Sequence, residues 1–92
     1  MEEEFNKILV KCFEDAAEKI KKSDQRPSDQ DLLYLYGLYK QSNVGDCNTA
    51  KPSFFYLKDR KKWTAWNTLK GKPKSESMNL YIEKVNELCK TD

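Results

Sequence analysis

Phe5, Ile8, Leu9, Cys12, Phe13, Ala16, Ala17 and Ile20 recur at steps of three and four residues. No feature of the chain constrains its fold more. On a helix that spacing makes one continuous apolar stripe about four turns long, and on a strand it makes nothing. The same period returns near the end of the chain in Met78, Tyr81, Ile82, Val85, Leu88 and Cys89. Strand-type alternation is nowhere sustained, so the fold class is all-α.

Two further helices complete the reading. Ser28 with Asp31 has the form of a capping box, with aspartate in place of glutamate, and predicts a helix from about Asp29 to Gln41 or Ser42. Gly37 lies inside it, where glycine costs ~1 kcal/mol against alanine, so something should approach the backbone closely there. Asp59 is the expected N-cap of a third helix carrying Trp63, Trp66 and Leu69 and closed by Gly71. The last helix should begin near Ser75. Between Asn43 and Leu57 no period is sustained; a connection this long is usually functional or packed on the body by its own apolar residues, and Val44, Phe54, Phe55 and Leu57 are available for that packing.

Ninety-two residues allow one domain. No apolar run approaches the ~20 residues of a membrane span, so stable membrane insertion is not expected. The N-terminus is acidic where a signal peptide would be basic, and a cytoplasmic protein is expected. Cys12, Cys47 and Cys89 are odd in number and widely spaced, which suggests neither a disulfide framework nor a zinc site. Cys12 and Cys89 fall on apolar helix faces and are expected to be buried thiols. Histidine is absent, which removes the commonest general base and metal ligand. An enzyme is not expected, nor a cofactor or metal.

Charge is unevenly spread. Residues 1–31 carry nine acidic and six basic groups, whereas residues 32–92 carry eleven basic and six acidic. Eight cations lie between Lys51 and Lys74 against the single Asp59. Such a block is often only a solvated face. Interleaved with aromatics, it also suits a phosphate-bearing partner. Tyr36, Tyr39 and Lys40 share a helix face, either as core-edge residues or as a stacking platform with an ammonium for phosphate. Lys58, Arg60, Lys61 and Lys62 crowd the start of the third helix, where the dipole is already positive and an anion would relieve the repulsion. Trp63 and Trp66, three apart, suit core packing. Tyr81 is either core or a hydroxyl aimed into a ligand site.

These runs, in their order and separation, closely resemble the acyl-CoA-binding protein family. The resemblance spans about Phe13 to Leu88. It rests on Tyr-x-x-Tyr-Lys-Gln-x-x-x-Gly-Asp-x-Asn from Tyr36 to Asn48, Pro52, and Lys-Trp-x-Ala-Trp-Asn from Lys62 to Asn67. Leu69-Lys70-Gly71 and Tyr81-Ile82-x-Lys84-Val85 follow at the expected spacing. The resemblance implies a four-helix bundle that binds medium- to long-chain fatty acyl-CoA thioesters. It implies an intracellular carrier that forms an acyl-CoA pool and serves acyl-CoA-using lipid enzymes. It also implies ligand contacts at Tyr36, Gly37, Leu38, Tyr39, Lys40, Lys62 and Tyr81, secondary contacts at Lys21 and Lys58, and acyl or groove contacts at Ala16, Leu32, Leu33 and Leu35. Adenine would stack between the second and third helices, with lysines on the phosphates. The competing reading of the basic block is a helical nucleotide- or nucleic-acid-binding module, although no nucleic-acid partner is expected if the resemblance holds. One departure stands out. Residues 1–10 add a segment before the family's usual start, extending the first helix within a single domain of residues 1–92. That helix should start near Glu3 or Glu4, with Phe5, Ile8 and Leu9 covered by the body, by ligand or by a second copy of the chain.

Overall fold

The first apolar stripe folds as α1, Glu2–Lys22, with three glutamates in its first turn and Lys19, Lys21 and Lys22 in its last. Both ends therefore complement the helix dipole. In this computed structural model, which describes residues 2–24 and 26–90, three more helices follow: α2 (Asp29–Asn43), α3 (Leu57–Asn67) and α4 (Lys74–Leu88). Among the described residues no strand is present.

Ser28 caps α2 as expected, its Oγ accepting from the Asp31 amide at 3.1 Å. The Asp31 carboxylate pairs instead with Lys84 Nζ of α4 at 3.0 Å. The start of α3 differs from the expectation. It begins at Leu57 after Tyr56, which makes no side-chain cap, and Asp59 lies within the first turn. There its negative charge meets the positive end of the helix without accepting a capping bond.

Each helix buries its stripe against a defined neighbour. α1 packs on α4, α4 on α2, and α2 on α3, whereas α1 and α3 make no close backbone approach. The result is a plate of 43 × 34 × 15 Å. Its core joins Phe13 and Ala16 of α1, Leu35 and Leu38 of α2, and Tyr81 and Val85 of α4. Phe13 meets Tyr81 edge-on with ring centroids 5.0 Å apart. Burying a side chain of this size contributes ~1.5–3 kcal/mol, so these few residues supply much of the cohesion.

α3 adheres to α2 through a different device. A Cβ built on Gly37 would stand 2.5 Å from the Ala65 carbonyl oxygen and 2.9 Å from its carbon. The two helices touch backbone to backbone there, which only glycine permits. Polar ties then fix the connections. Gln41, fully buried, donates Nε2 to Asp46 Oδ1 and to the Lys72 carbonyl, both at 2.9 Å. The same Asp46 oxygen accepts the Gly71 amide at 2.7 Å, in the turn where Gly71 adopts φ +90°. One amide and one carboxylate thus bind the end of α2, the following loop and the α3–α4 turn together.

Two expectations about apolar residues are corrected and a third is narrowed. Val44, Phe54, Phe55 and Leu57 are exposed rather than packed; indole N–H groups hold the loop instead, Trp63 Nε1 to Thr49 O at 2.8 Å and Trp66 Nε1 to Gly45 O at 2.7 Å. Cys12 is exposed and Cys89 only half-buried. In the first helix Leu9 is buried, but Phe5 (65% exposed) and Ile8 (64%) are uncovered by their own chain. The cause is common to Phe5, Ile8 and Cys12: their stripe is wider than the surface that α4 and the edge of α2 offer it.

Two carboxylates make the fold acid-sensitive. The hydrogen bond from Lys84 holds Asp31 below its ordinary value of 3.8. The Gly71 amide, then the Gln41 amide, do the same for Asp46. Carboxylates depressed on folding stabilise above their unfolded value, and that stability is lost as pH falls through the folded value. Lys84 is raised above 10.5, chiefly by its hydrogen bond to Asp31; this is the same pair, lost at its alkaline end. With no histidine, no side chain of ordinary value titrates between pH 5 and 8. The melting temperature should therefore be flat near neutrality and fall below about pH 4. Circular dichroism melts across pH should show this, and Asp46→Asn should shrink the acid-side drop. An unchanged drop would mean that Asp46 plays no part in it.

Candidate ligand-binding site

Because α1 and α3 stand apart, the face of α2 between them is left concave. On the α1 side lies an apolar concavity of about 250 Å³, lined by Ala17, Ile20, Lys21, Leu32, Leu35, Tyr36, Tyr39 and Tyr81. On the α3 side lies another of about 230 Å³, lined by Tyr36, Lys40, Thr49, Pro52, Asp59, Lys62, Trp63 and Trp66. Tyr36 is the wall between them. A third hollow, with Asp29, Leu32, Leu33, Lys58, Lys61 and Lys62 on its rim, adjoins both.

Helix periodicity explains the convergence. Tyr36 and Lys40 are one turn apart on α2, and Lys62, Trp63 and Trp66 share a face of α3. The Gly37–Ala65 contact brings these faces together. Lys62 Nζ then lies 5.4 Å from the centroid of the Tyr36 ring, and Lys40 Nζ 4.8 Å from that of Trp66. Cation–π contacts of this kind are worth ~0.5–1 kcal/mol at exposed sites and they aim both ammonium groups at one hollow. An anion entering it meets two cations and the single carboxylate of Asp59.

The apolar side rests on an aromatic floor. Tyr39 lies 5.5 Å from Phe13 and 5.9 Å from Tyr81, ring to ring. Burial, with a smaller contribution from Tyr39, pushes the Tyr81 phenol above its ordinary value, so its hydroxyl stays protonated and able to donate.

Most of the residues singled out in the sequence meet here. Tyr36, Tyr39, Lys21, Leu32, Leu35 and Tyr81 line the apolar concavity, Lys40 and Lys62 the cationic one, and Lys58 and Leu33 the third. Leu38 and Gly37 do not. Leu38 is fully buried in the core and Gly37 is buried against α3. Neither lines any of these hollows, and both shape the site from behind. Ala16 is likewise a core residue. The sequence reading missed Ala17 and Ile20, whose place on the first stripe was the available signal, and Asp59 as a lining residue. Among the described residues no cluster of three His, Cys, Asp or Glu stands ready for a metal, and no helix is long and apolar enough to cross a membrane.

Comparison with known proteins gives one answer. Residues 10–85 match the family model described as acyl CoA binding protein. An acyl-CoA-binding protein of Brassica napus is 49% identical over 84 residues, covering 91% of each chain. Among solved structures, acyl-CoA-binding protein 2 of Oryza sativa superposes with a TM-score of 0.87 at 48% identity, over 90% of both chains. The yeast acyl coenzyme A binding protein gives 0.67 at 45% identity, over 83% of this chain and 88% of that one. The four helices, the concave face they leave open and these relatives agree: the chain belongs to the acyl-CoA-binding protein family.

Proposed function

We propose that this chain binds medium- to long-chain fatty acyl-CoA thioesters and acts as a cytoplasmic carrier and pool former that hands them to lipid enzymes, making and breaking no bonds itself. Residues 1–92 form one acyl-CoA-binding domain, with residues 1–10 extending its first helix. The observation that carries the reading is the shared wall at Tyr36. An apolar concavity and a cationic, aromatic one lie on its two sides, so a ligand with a hydrocarbon chain and an anionic nucleotide head spans both. Tyr36 and Tyr39 offer faces for stacking, Lys40 and Lys62 meet phosphates, Lys21 and Lys58 supply outlying charge, and the Tyr81 hydroxyl is available as a donor.

Calorimetric titration tests this directly. Palmitoyl-CoA should bind stoichiometrically while a short oligonucleotide should not; the reverse order would assign the basic block to nucleic acid. Lys62→Ala should weaken palmitoyl-CoA binding by about 1–2 kcal/mol, the loss of one charge-assisted bond, with the melting temperature almost unmoved because the side chain is exposed. Lys40→Ala should weaken binding similarly. It should also cost ~0.5–1 kcal/mol of stability, since that half-buried lysine covers Trp66. Normal binding by both variants would remove the lysines from the site.

A further inference from the structure

Two apolar patches on this molecule are uncovered, and their electrostatic surroundings are opposite. The first is the Phe5–Ile8–Cys12 stripe of α1. Residues 2–15 around it carry five carboxylates against Lys7 and Lys11. The second lies at the start of α3, in Phe54 (64% exposed), Phe55 (80%), Tyr56 (62%) and Leu57 (66%). Phe54 and Phe55 stack on each other at 4.5 Å. A turn closed by the Tyr56 amide on the Ser53 carbonyl at 2.9 Å presents them. Lys51, Lys58, Arg60, Lys61 and Lys62 flank this patch, and Asp59 is the only carboxylate from Lys51 to Lys62.

Two exposed phenylalanines beside a tyrosine and a leucine are an unusual thing to leave in water. Stacking on each other, they are not covered by the body. The cations that flank them in the chain disfavour a basic partner and favour an extended anionic one that also has an apolar layer. A bilayer bearing anionic lipid has both properties: rings and leucine enter the headgroup boundary while lysine and arginine meet the surface charge. The acidic surroundings of the α1 patch would be repelled by the same surface.

We propose that the 54–57 cluster and its flanking cations form a peripheral docking site for an anionic phospholipid surface. No helix needs to span the membrane. The cluster leads directly into Lys58, which with Lys61, Lys62, Leu32, Leu33 and the carboxylate of Asp29 rims the hollow adjoining both concavities. Docking therefore brings the mouth of the ligand groove to the bilayer. In that last respect the inference rests on the acyl-CoA reading; the docking itself does not.

The test is co-sedimentation of the ligand-free chain with vesicles of phosphatidylcholine alone, and of phosphatidylcholine with an equal part of phosphatidylserine. Each cation near an anionic surface strengthens binding by about fivefold. The mixed vesicles should therefore bind at least ~10-fold better than phosphatidylcholine alone, and added salt should release the protein. Phe54→Ser/Phe55→Ser should reduce binding to the mixed vesicles by ~10-fold or more. Phe5→Ser/Ile8→Ser should leave it unchanged, and matching melts would show all variants folded. The proposal is overturned if the Phe54→Ser/Phe55→Ser variant sediments like the parent, if the two vesicle types bind alike, or if the α1 variant alone loses binding. It is overturned equally if the parent ignores both vesicles but self-associates through Phe54 and Phe55, which would assign the patch to a second copy. Titration with palmitoyl-CoA without vesicles separates the two readings. Normal binding by parent and Phe54→Ser/Phe55→Ser isolates a docking defect, whereas failure by the parent sinks the carrier reading and leaves the vesicle result standing.

Discussion

Free coenzyme A should bind this protein roughly three to four orders of magnitude more weakly than palmitoyl-CoA, although both carry the same nucleotide and phosphates. Burial of a methylene contributes ~0.8 kcal/mol, so a chain of about fourteen would contribute ~11 kcal/mol if wholly covered. It will not be. The concavity lined by Ala17, Ile20, Leu32, Leu35, Tyr36, Tyr39 and Tyr81 is open on one side, and half coverage leaves ~5–6 kcal/mol, or about 10⁴ in affinity. The head group has less to offer. Exposed lysine–phosphate pairs bring nearer ~1 kcal/mol each, and a stacked base ~1–3 kcal/mol. Removing two carbons from the chain should weaken binding by about four- to fifteenfold until the chain no longer fills the groove. Calorimetry over a series from free coenzyme A to palmitoyl-CoA measures this. Equal affinities along the series would sink the carrier reading.

Gly37→Ala should destabilise the fold, against the ordinary preference of helices for alanine. Helix propensity alone would return up to ~1 kcal/mol. The new Cβ, however, would stand 2.5 Å from a carbonyl oxygen of α3, and a backbone cannot rotate out of the way as a side chain can. Overpacking of this kind costs ~1–3 kcal/mol, so the net loss should be about 1–2 kcal/mol and the melting temperature should fall by ~5–15 °C. Gly37→Leu has no relief open to it and should abolish the cooperative transition. Binding should suffer in parallel, because separating α2 from α3 moves Lys40 from Lys62. If Gly37→Ala melted like the parent yet failed to bind, Gly37 would be a ligand contact after all and the helix-contact account would be wrong.

What the sequence made legible was whatever repeats with the helical period. The stripes of α1 and α4, the Ser28 cap and the four-helix count all follow from local spacing. A close approach to Gly37 was also legible, since an interior glycine needs a reason. Its cause was not: nothing in the chain says that the approaching group is Ala65 rather than a ligand. Contacts between distant residues left no trace. Asp31 and Lys84 pair across fifty-three positions, and Gln41 finds Lys72 across thirty-one. Exposure was misjudged where periodicity was taken for coverage, as at Cys12, because a stripe states which face is apolar and not how wide its partner is. Phe54 and Phe55 failed for the complementary reason. They lie outside any period, so hydrophobicity alone could not decide between packing and a functional surface.

The order in which the helices pack also sets when the chain can fold. The close backbone partner of α1 is α4, which follows it after some fifty residues of other structure. During synthesis, the first helix to leave the ribosome finds only the edge of α2 for its stripe until the last helix has emerged. Most of a helix's stability in a protein comes from packing of its apolar face, and closing a loop of that span costs entropy before any contact returns it. α2 and α3, adjacent in both sequence and space, are free to meet earlier. The half of the plate that carries Lys40 and Lys62 can therefore form while the other half waits, and the aromatic floor of Phe13, Tyr39 and Tyr81 is complete only when the final helix arrives.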